Sequence, residues 1–449
     1  MTTTKKLADL VIDITYKDFP KEAVRKGKEC ILDTLGCILA GCKSAEGTIM
    51  LEYAEEIGGK EEASIIGFGR KTNSHIAALV NGTLGHSLDF DDAQDSLMGH
   101  PSTVILPAVL ALGEKLKSSG ESILEAFIVG FEVACKIGKA VNPELYKNGW
   151  HSTNAVGVLG ATAATAKLSG FESTRVAVAL GIAASLSGGL RANFGTMTKP
   201  FHAGKAAENA VVATRLAASD FTASDQILEA KNGFCATFSG KYDLSKVVNG
   251  FADPLEIISP GVRLKPYPSC LETHSVIEAT LSIVEKYDIQ PDNVESVECR
   301  IAPLALNILI HQNPQNHLQG KFSAQYAVAT ALIYRKASLH QFTDGAVRNP
   351  DVQSIIKKTS VFADPEMEQA MQSAVVTIKL LDGREYTKRV DITTGHPQKP
   401  MFLDNIIDKY KNCAALTINE DNIERSINEV LDFETIRNLD RLMSLIGGR

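Results

Sequence analysis

Hydrophobic positions in the first 260 or so residues repeat at helical spacing. Val24, Ile31, Leu32, Leu35 and Leu39 recur at steps of three, four and seven, an apolar stripe that predicts a helix opening near Pro20 and Lys21. Ile76, Ala77, Leu79 and Val80 mark another over 74–84, residues 101–117 predict a helix with proline near its start, and 121–139 predict a further one. Residues 154–168 are rich in Ala, Gly and Thr, and 203–218 follow the same pattern. Such small side chains let helices approach closely, so the first of these is expected at the centre of the fold. Residues 176–190 are weakly polar but shorter than the ~20 apolar residues a bilayer crossing needs, and they read as a buried helix. Period-two alternation is almost absent from this half.

The texture changes near Pro260. Arg263-Leu264-Lys265-Pro266-Tyr267-Pro268 is a proline-stiffened linker. A helix over 274–286 follows, then Val294-Glu295-Ser296-Val297-Glu298-Cys299-Arg300-Ile301, whose alternation predicts a half-buried strand. Residues 374–381 and 385–390 flank Asp382-Gly383, a strong hairpin signal, and helices are expected around 324–334 and 350–358. Gly395-His396-Pro397 breaks the chain again, and 401–447 return to helical spacing. The fold class expected is mainly α. Residues 1–262 together with 396–449 would form a large all-helical domain, and 263–395 a smaller α+β domain.

Composition narrows the function. The chain has 449 residues, 44% hydrophobic and 22% charged, with a net charge of −7, which is ordinary for a globular enzyme. A mildly acidic chain gives no global argument for nucleic acid or an anionic membrane, so cations that hold an acidic substrate must be local. Acidic residues interrupt the opening segment early, and no signal-peptide pattern forms; a cytoplasmic location is expected. None of the eight cysteines pair as C-x-x-C, the spacing that structural zinc and iron–sulfur sites favour, and they read as reduced buried thiols.

Five short clusters could carry chemistry. Gly85-His86-Ser87-Leu88-Asp89-Phe90-Asp91-Asp92 packs three carboxylates into four positions. On a continued helix His86, Asp89 and Asp92 would share a face; in a pocket their mutual field would raise a pKa, and at a solvated helix end they would do nothing. Asp and His also ligate divalent metals, which leaves a metal-dependent lyase or hydrolase built on Asp89, Asp91, Asp92 and His100 as a competing class. Met98-Gly99-His100-Pro101-Ser102 and Asn148-Gly149-Trp150-His151-Ser152-Thr153 each set a histidine ahead of a helix, where free N–H groups suit carboxylates. Gly188-Gly189-Leu190-Arg191 through Lys199-Pro200-Phe201-His202-Ala203-Gly204-Lys205 combines cations with glycine, either an anion-binding surface or a solvated loop. Lys265-Pro266-Tyr267-Pro268-Ser269-Cys270-Leu271-Glu272-Thr273-His274 lies at the predicted domain junction, where pockets are common, though a stiff linker with an incidental histidine would look the same.

Together, in this order and spacing, the motifs H-S-L-D-F-D-D, G-H-P-S, G-W-H-S-T, K-P-F-H-A-G and K-P-Y-P-x-C-x-x-T-H resemble the MmgE/PrpD family over most of the chain. That family includes 2-methylcitrate dehydratases, cis-aconitate decarboxylases and iminodisuccinate epimerases. The resemblance implies a large helical domain with a smaller α+β lid domain, a homodimer, an active site between the domains, and no metal or other cofactor. Carried over by motif, the catalytic residues would be Asp89, His100, His151, Lys199 and His274, with Asp91 and Asp92 close candidates in the same acidic motif. Asp92, Arg191, His202 and Lys265 are the expected substrate-binding groups. The decarboxylase branch carries Thr after its acidic motif and Tyr before an Arg-Pro pair; this chain has Ala93, and Leu309-Ile310-His311-Gln312-Asn313-Pro314 in that loop. The dehydratases carry an Asp or Asn segment after their His-Pro, where this chain has Ser102-Thr103-Val104-Ile105-Leu106-Pro107.

These reactions share a rearrangement beside a carboxylate. Removing a proton α to a carboxylate builds negative charge that needs nearby cations and donors, while a histidine near neutrality takes or gives the proton. The expected function is a lyase on a small di- or tricarboxylic acid, a 2-methylcitrate-dehydratase-like hydro-lyase first, with an epimerase or a cis-aconitate-like decarboxylase as alternatives. A non-catalytic helical binding protein is the remaining class, though a scaffold has no need of His100, His151, Lys199 and His274 together.

Overall fold

A computed structural model describes residues 1–367 and 372–448. The chain divides into two units, one made of Met1–Ala192, Thr198–Leu264 and Phe402–Arg449, the other of Asn193–Met197 and Lys265–Met401.

Glycines set the helix crossings of the first unit. The helices Ser74–Ser87 and Thr198–Ala218 cross where Gly82 faces Gly204. A Cβ on Gly204 would lie 2.1 Å from the Leu79 carbonyl, and one on Gly82 2.8 Å from Gly204 Cα, so only hydrogen fits between the backbones. Gly120–Val141 packs on Gly157–Leu168 in the same way, with Gly130 and Gly160 each against the other's carbonyl oxygen. The small-residue segment therefore sits in the core as its composition implies, but as two helices, Ser152–Ala155 and Gly157–Leu168. Lys21–Gly41 packs on Leu403–Ala414, with Gly36 beneath Tyr410.

Two expectations need correction. The helix expected over 176–190 stops at Ala184, and Leu186 and Leu190 are exposed. Ser185, Ser187 and the Gly188-Gly189 pair, with Gly189 at φ +88°, favour a turn over continued helix. The helical unit also contains a short antiparallel pair, Ala63–Ile65 with Arg70–Thr72. Three-residue strands are too short to show alternation.

In the second unit four strands form one sheet, in the order Thr359–Ala363, Val294–Ile301, Ala374–Leu380, Glu385–Val390. The first pair is parallel and the other two antiparallel, with the expected hairpin turning at Asp382-Gly383. Helices His274–Tyr287, Ala324–Tyr334 and Pro350–Lys358 accompany the sheet. The segment Asn193–Met197 belongs here: Phe194 packs on Phe322 with ring centroids 5.6 Å apart.

Among the described residues no helix is long and apolar enough to cross a membrane. All eight cysteines are free and buried.

Candidate active site

The Ser74–Ser87 helix ends where the acidic motif begins. Asp89 adopts φ +51°, a left-handed conformation that Asp tolerates better than most residues. The chain therefore turns out of the helix, and the shared helical face expected for His86, Asp89 and Asp92 does not form. The carboxylates are instead splayed in three directions. Their relative exposures are 3% for Asp89 and 0% for Asp91 and Asp92, so this is not a solvated helix end.

Each carboxylate has a separate task. Asp91 holds His86, with Nδ1 of the ring 2.9 Å from both of its oxygens, and lies 3.5 Å from Nδ1 of His100. Asp92 turns to the start of the Ser102–Leu116 helix, where it accepts from the Ser102 backbone N–H and hydroxyl. Burial pushes its pKa up to about 7, against the Ser102 hydrogen bonds and with help from Asp91 and Asp33. Asp89 accepts from Lys199 Nζ at 3.0 Å.

Lys199 is in the first turn of Thr198–Ala218, the helix that the Gly82–Gly204 crossing brings against Ser74–Ser87. Its ammonium lies 2.9 Å from His86 Nε2. His100 is fixed by its loop: a Cβ on Gly99 would sit 2.9 Å from the Thr153 nitrogen, and the His100 N–H donates to Thr153 Oγ1 at 3.2 Å. His100 Nδ1 donates to the Asp92 carbonyl at 2.7 Å, which leaves Nε2 as the basic nitrogen, 4.0 Å from Asp89. His151 precedes Ser152–Ala155, and its N–H donates to Gly189 O at 2.9 Å. Its Nδ1 faces Nδ1 of His202 at 3.1 Å, so one ring donates and the other accepts. Asn154 secures that arrangement by donating to the His202 carbonyl and accepting from Gly188 N–H.

The rings lie close together, with centroids 4.5 Å apart for His86 and His100, 5.8 Å for His86 and His151, and 5.4 Å for His151 and His202. Burial draws the His151 pKa well below its usual range, reinforced by Lys199 and the neighbouring rings. Burial also lowers His86, with Asp91 opposing and Lys199 reinforcing, and brings His202 down to about 4. Neutral imidazoles beside one ammonium are suited to taking a proton from carbon while a cation receives the charge that develops.

Of the residues singled out from sequence, Asp89, Asp91, His100, His151, Lys199 and His202 come together here, and Asp92 flanks them through Ser102. Arg191 lies over the Tyr146 ring, 3.9 Å from its centroid, and donates to the Tyr146 carbonyl. His274 and Lys265 belong to the second unit; both are fully buried, and both approach the Ser269 carbonyl, at 3.3 and 3.2 Å. Sequence reasoning quoted His86 without giving it a role. Its signal was the spacing to Asp91, five positions on, which lets a turn bring the carboxylate back to the ring.

His86, Asp89, Asp91 and His100 offer ligand atoms within 4.8 Å of one another, a set a divalent ion could use. Lys199 already engages two of those four, His86 and Asp89, so its ammonium and a metal ion would compete for the same donors.

Comparison with known proteins agrees with this arrangement. Residues 5–246 match the MmgE/PrpD N-terminal domain and residues 267–434 the MmgE/PrpD C-terminal domain. The chain is similar to the cis-aconitate decarboxylase of Mus musculus, 28% identical over all of this chain and 94% of that protein. The human cis-aconitate decarboxylase is likewise 28% identical, over 99% of this chain and 94% of its own length. A mitochondrial 2-methylcitrate dehydratase of Yarrowia lipolytica is 25% identical over 88% of this chain and 80% of that protein.

Proposed function

Because the chain belongs to the MmgE/PrpD family, we propose that it is a lyase which moves a proton beside a carboxylate of a small di- or tricarboxylic acid. The observation that carries this reading is the buried group of three neutral imidazoles around the Lys199 ammonium, with Asp89 against it. His100 and His151 are the acid/base pair. His100 has its Nε2 lone pair available, and its side chain is the more exposed of the two. Lys199 receives a substrate carboxylate and the charge that grows on it, and Asp89 aims the ammonium. His202 sets the tautomer of His151. His274 enters the reading through its motif, as a group that binds or protonates the substrate.

Dehydration of a citrate-like acid is the leading reaction: one imidazole removes the proton α to a carboxylate, and a second acid protonates the departing hydroxyl. Decarboxylation is the second reading, favoured by the names of the relatives that span the whole chain. There the carboxylate leaves as carbon dioxide and an imidazolium protonates the resulting carbanion. The placement of Lys199 among the potential metal donors supports proton transfer without a metal ion. The test is a panel of citrate, 2-methylcitrate, cis-aconitate, tartrate and iminodisuccinate, followed by proton NMR with a chelator present. Conversion of one or more acids supports the reading. Activity that appears only when a divalent metal is restored would replace it with the metal-dependent alternative.

Eight buried reduced thiols support a reducing compartment such as the cytoplasm. The family resemblance supports a homodimer, which sedimentation velocity would test.

A further inference from the structure

His86 has both ring nitrogens engaged by protein groups. Asp91 takes Nδ1 with both oxygens at 2.9 Å, and Lys199 Nζ lies 2.9 Å from Nε2. The ring and the Asp91 side chain are fully buried, and Lys199 is nearly so. A ring arranged in this way has no nitrogen left with which to meet a substrate. Its effect must pass through a neighbour.

We propose that His86 is a positioning residue for Lys199, and that Asp91, His86 and Lys199 form a hydrogen-bonded chain that aims the ammonium. The proposal rests on the reading that Lys199 receives the substrate carboxylate. The carboxylate of Asp91 requires the proton on Nδ1, which fixes the tautomer and leaves the Nε2 lone pair facing Lys199. Lysine is a compact charge on a flexible four-carbon stem. A single acceptor, Asp89 at 3.0 Å, would let the ammonium pivot about that one contact. A second acceptor on a ring that is itself clamped removes the freedom, so the ammonium meets a substrate already oriented. His86 also accounts for Asp91, which touches no group expected to meet substrate except through the two rings it orients, His86 and, at 3.5 Å, His100. The chain separates the three carboxylates of the acidic motif by role: Asp89 faces the ammonium, Asp91 sets tautomers and Asp92 ties the turn to the next helix.

A double-mutant cycle on the full chain tests this, with cis-aconitate and 2-methylcitrate as probes. His86→Leu removes the acceptor and should lower kcat/KM on the order of 10- to 100-fold. His86→Gln, whose amide oxygen can accept from Lys199 but which cannot exchange a proton at neutral pH, should recover most of that loss. In a Lys199→Met background His86→Leu should cost less than about threefold, because the group it acts through is gone. A loss as large in that background as in the wild type overturns the chain, as does a folded His86→Gln protein no better than His86→Leu. Full activity of Lys199→Met is a different result: it overturns the functional reading of Lys199 and the catalytic purpose of the chain with it. A substrate-free arm uses full-length protein labelled with [15N]histidine. His86 should show a neutral Nδ1–H ring whose Nε2 resonance moves in Lys199→Met. An Nε2–H ring, or an unmoved Nε2 resonance, overturns the proposal whether or not either acid is consumed.

Discussion

Asp92→Asn should make the protein more stable, and increasingly so as pH rises. Asp92 is fully buried and holds its proton until about pH 7, whereas an ionisable Asp in the unfolded chain loses it near 3.8. Between those values the folded state carries one proton more than the unfolded state. Its stability contribution is therefore fully present below pH 3.8 and is lost as pH rises through 7. At ~1.36 kcal/mol per pKa unit, the whole penalty approaches roughly 4 kcal/mol, of which roughly 2.5 kcal/mol accrues between pH 5 and pH 8. Asparagine keeps the shape and the acceptor for the Ser102 N–H but never ionises, so it escapes that slope. The assay is urea unfolding of wild type and variant at pH 5, 6, 7 and 8, followed by tryptophan fluorescence. Trp150 is the single tryptophan and lies in the same unit as Asp92, so it reports the relevant transition. The advantage of the variant should grow by roughly 2.5 kcal/mol from pH 5 to pH 8. Parallel stability–pH curves would refute the reasoning, since they would mean that Asp92 is already ionised in the folded protein at pH 5.

The neighbouring histidines have the opposite sign. His86, His151 and His202 stay neutral in the folded state below their ordinary pKa of 6.5, so their contribution to stability falls as pH drops from 6.5 toward about 4, the value for His202; the acid limb of kcat/KM should accordingly lie below pH 6.5, and a limb centred at or above it would contradict the burial argument. His151→Ala should lower kcat by about 100-fold or more with an unchanged circular dichroism spectrum, and near-normal turnover would remove His151 from the acid/base pair. Gly204→Ala should destabilise the protein by about 1–3 kcal/mol or more, measured by urea unfolding, because the new methyl meets the Leu79 carbonyl at 2.1 Å; it should also lower activity by moving Lys199. Lys409→Met should cost about 3–5 kcal/mol, because the buried Lys409 pairs with the fully buried Asp33 at 2.6 Å and donates to the Phe90 carbonyl inside the acidic turn.

The sequence carried the helices well where packing repeats at helical spacing, as in 101–117 and 121–139, and carried the hairpin through Asp382-Gly383. It misjudged 176–190, where the hydropathy continued but the Gly188-Gly189 pair turned the chain. The acidic motif shows the limit most clearly. Three carboxylates in four positions read equally as a solvated helix end or as a site, because nothing local says that the helix stops at Ser87 and that Asp89 takes a left-handed turn. Burial decides between them, and burial comes from the Ser102–Leu116, Thr198–Ala218 and Leu403–Ala414 helices, which lie far away in sequence. For the same reason the role of His86 was not legible: its second partner, Lys199, is 113 positions along the chain.

The most direct test of the account is solvent exchange at carbon. Wild-type protein incubated in D2O with citrate, 2-methylcitrate or cis-aconitate should place deuterium at a carbon next to a carboxylate in the acid or its product, detected by NMR. His151→Ala and Lys199→Met should slow that incorporation by about 100-fold. Incorporation at the wild-type rate in both variants would contradict the claim that this buried group of imidazoles and one ammonium moves the proton.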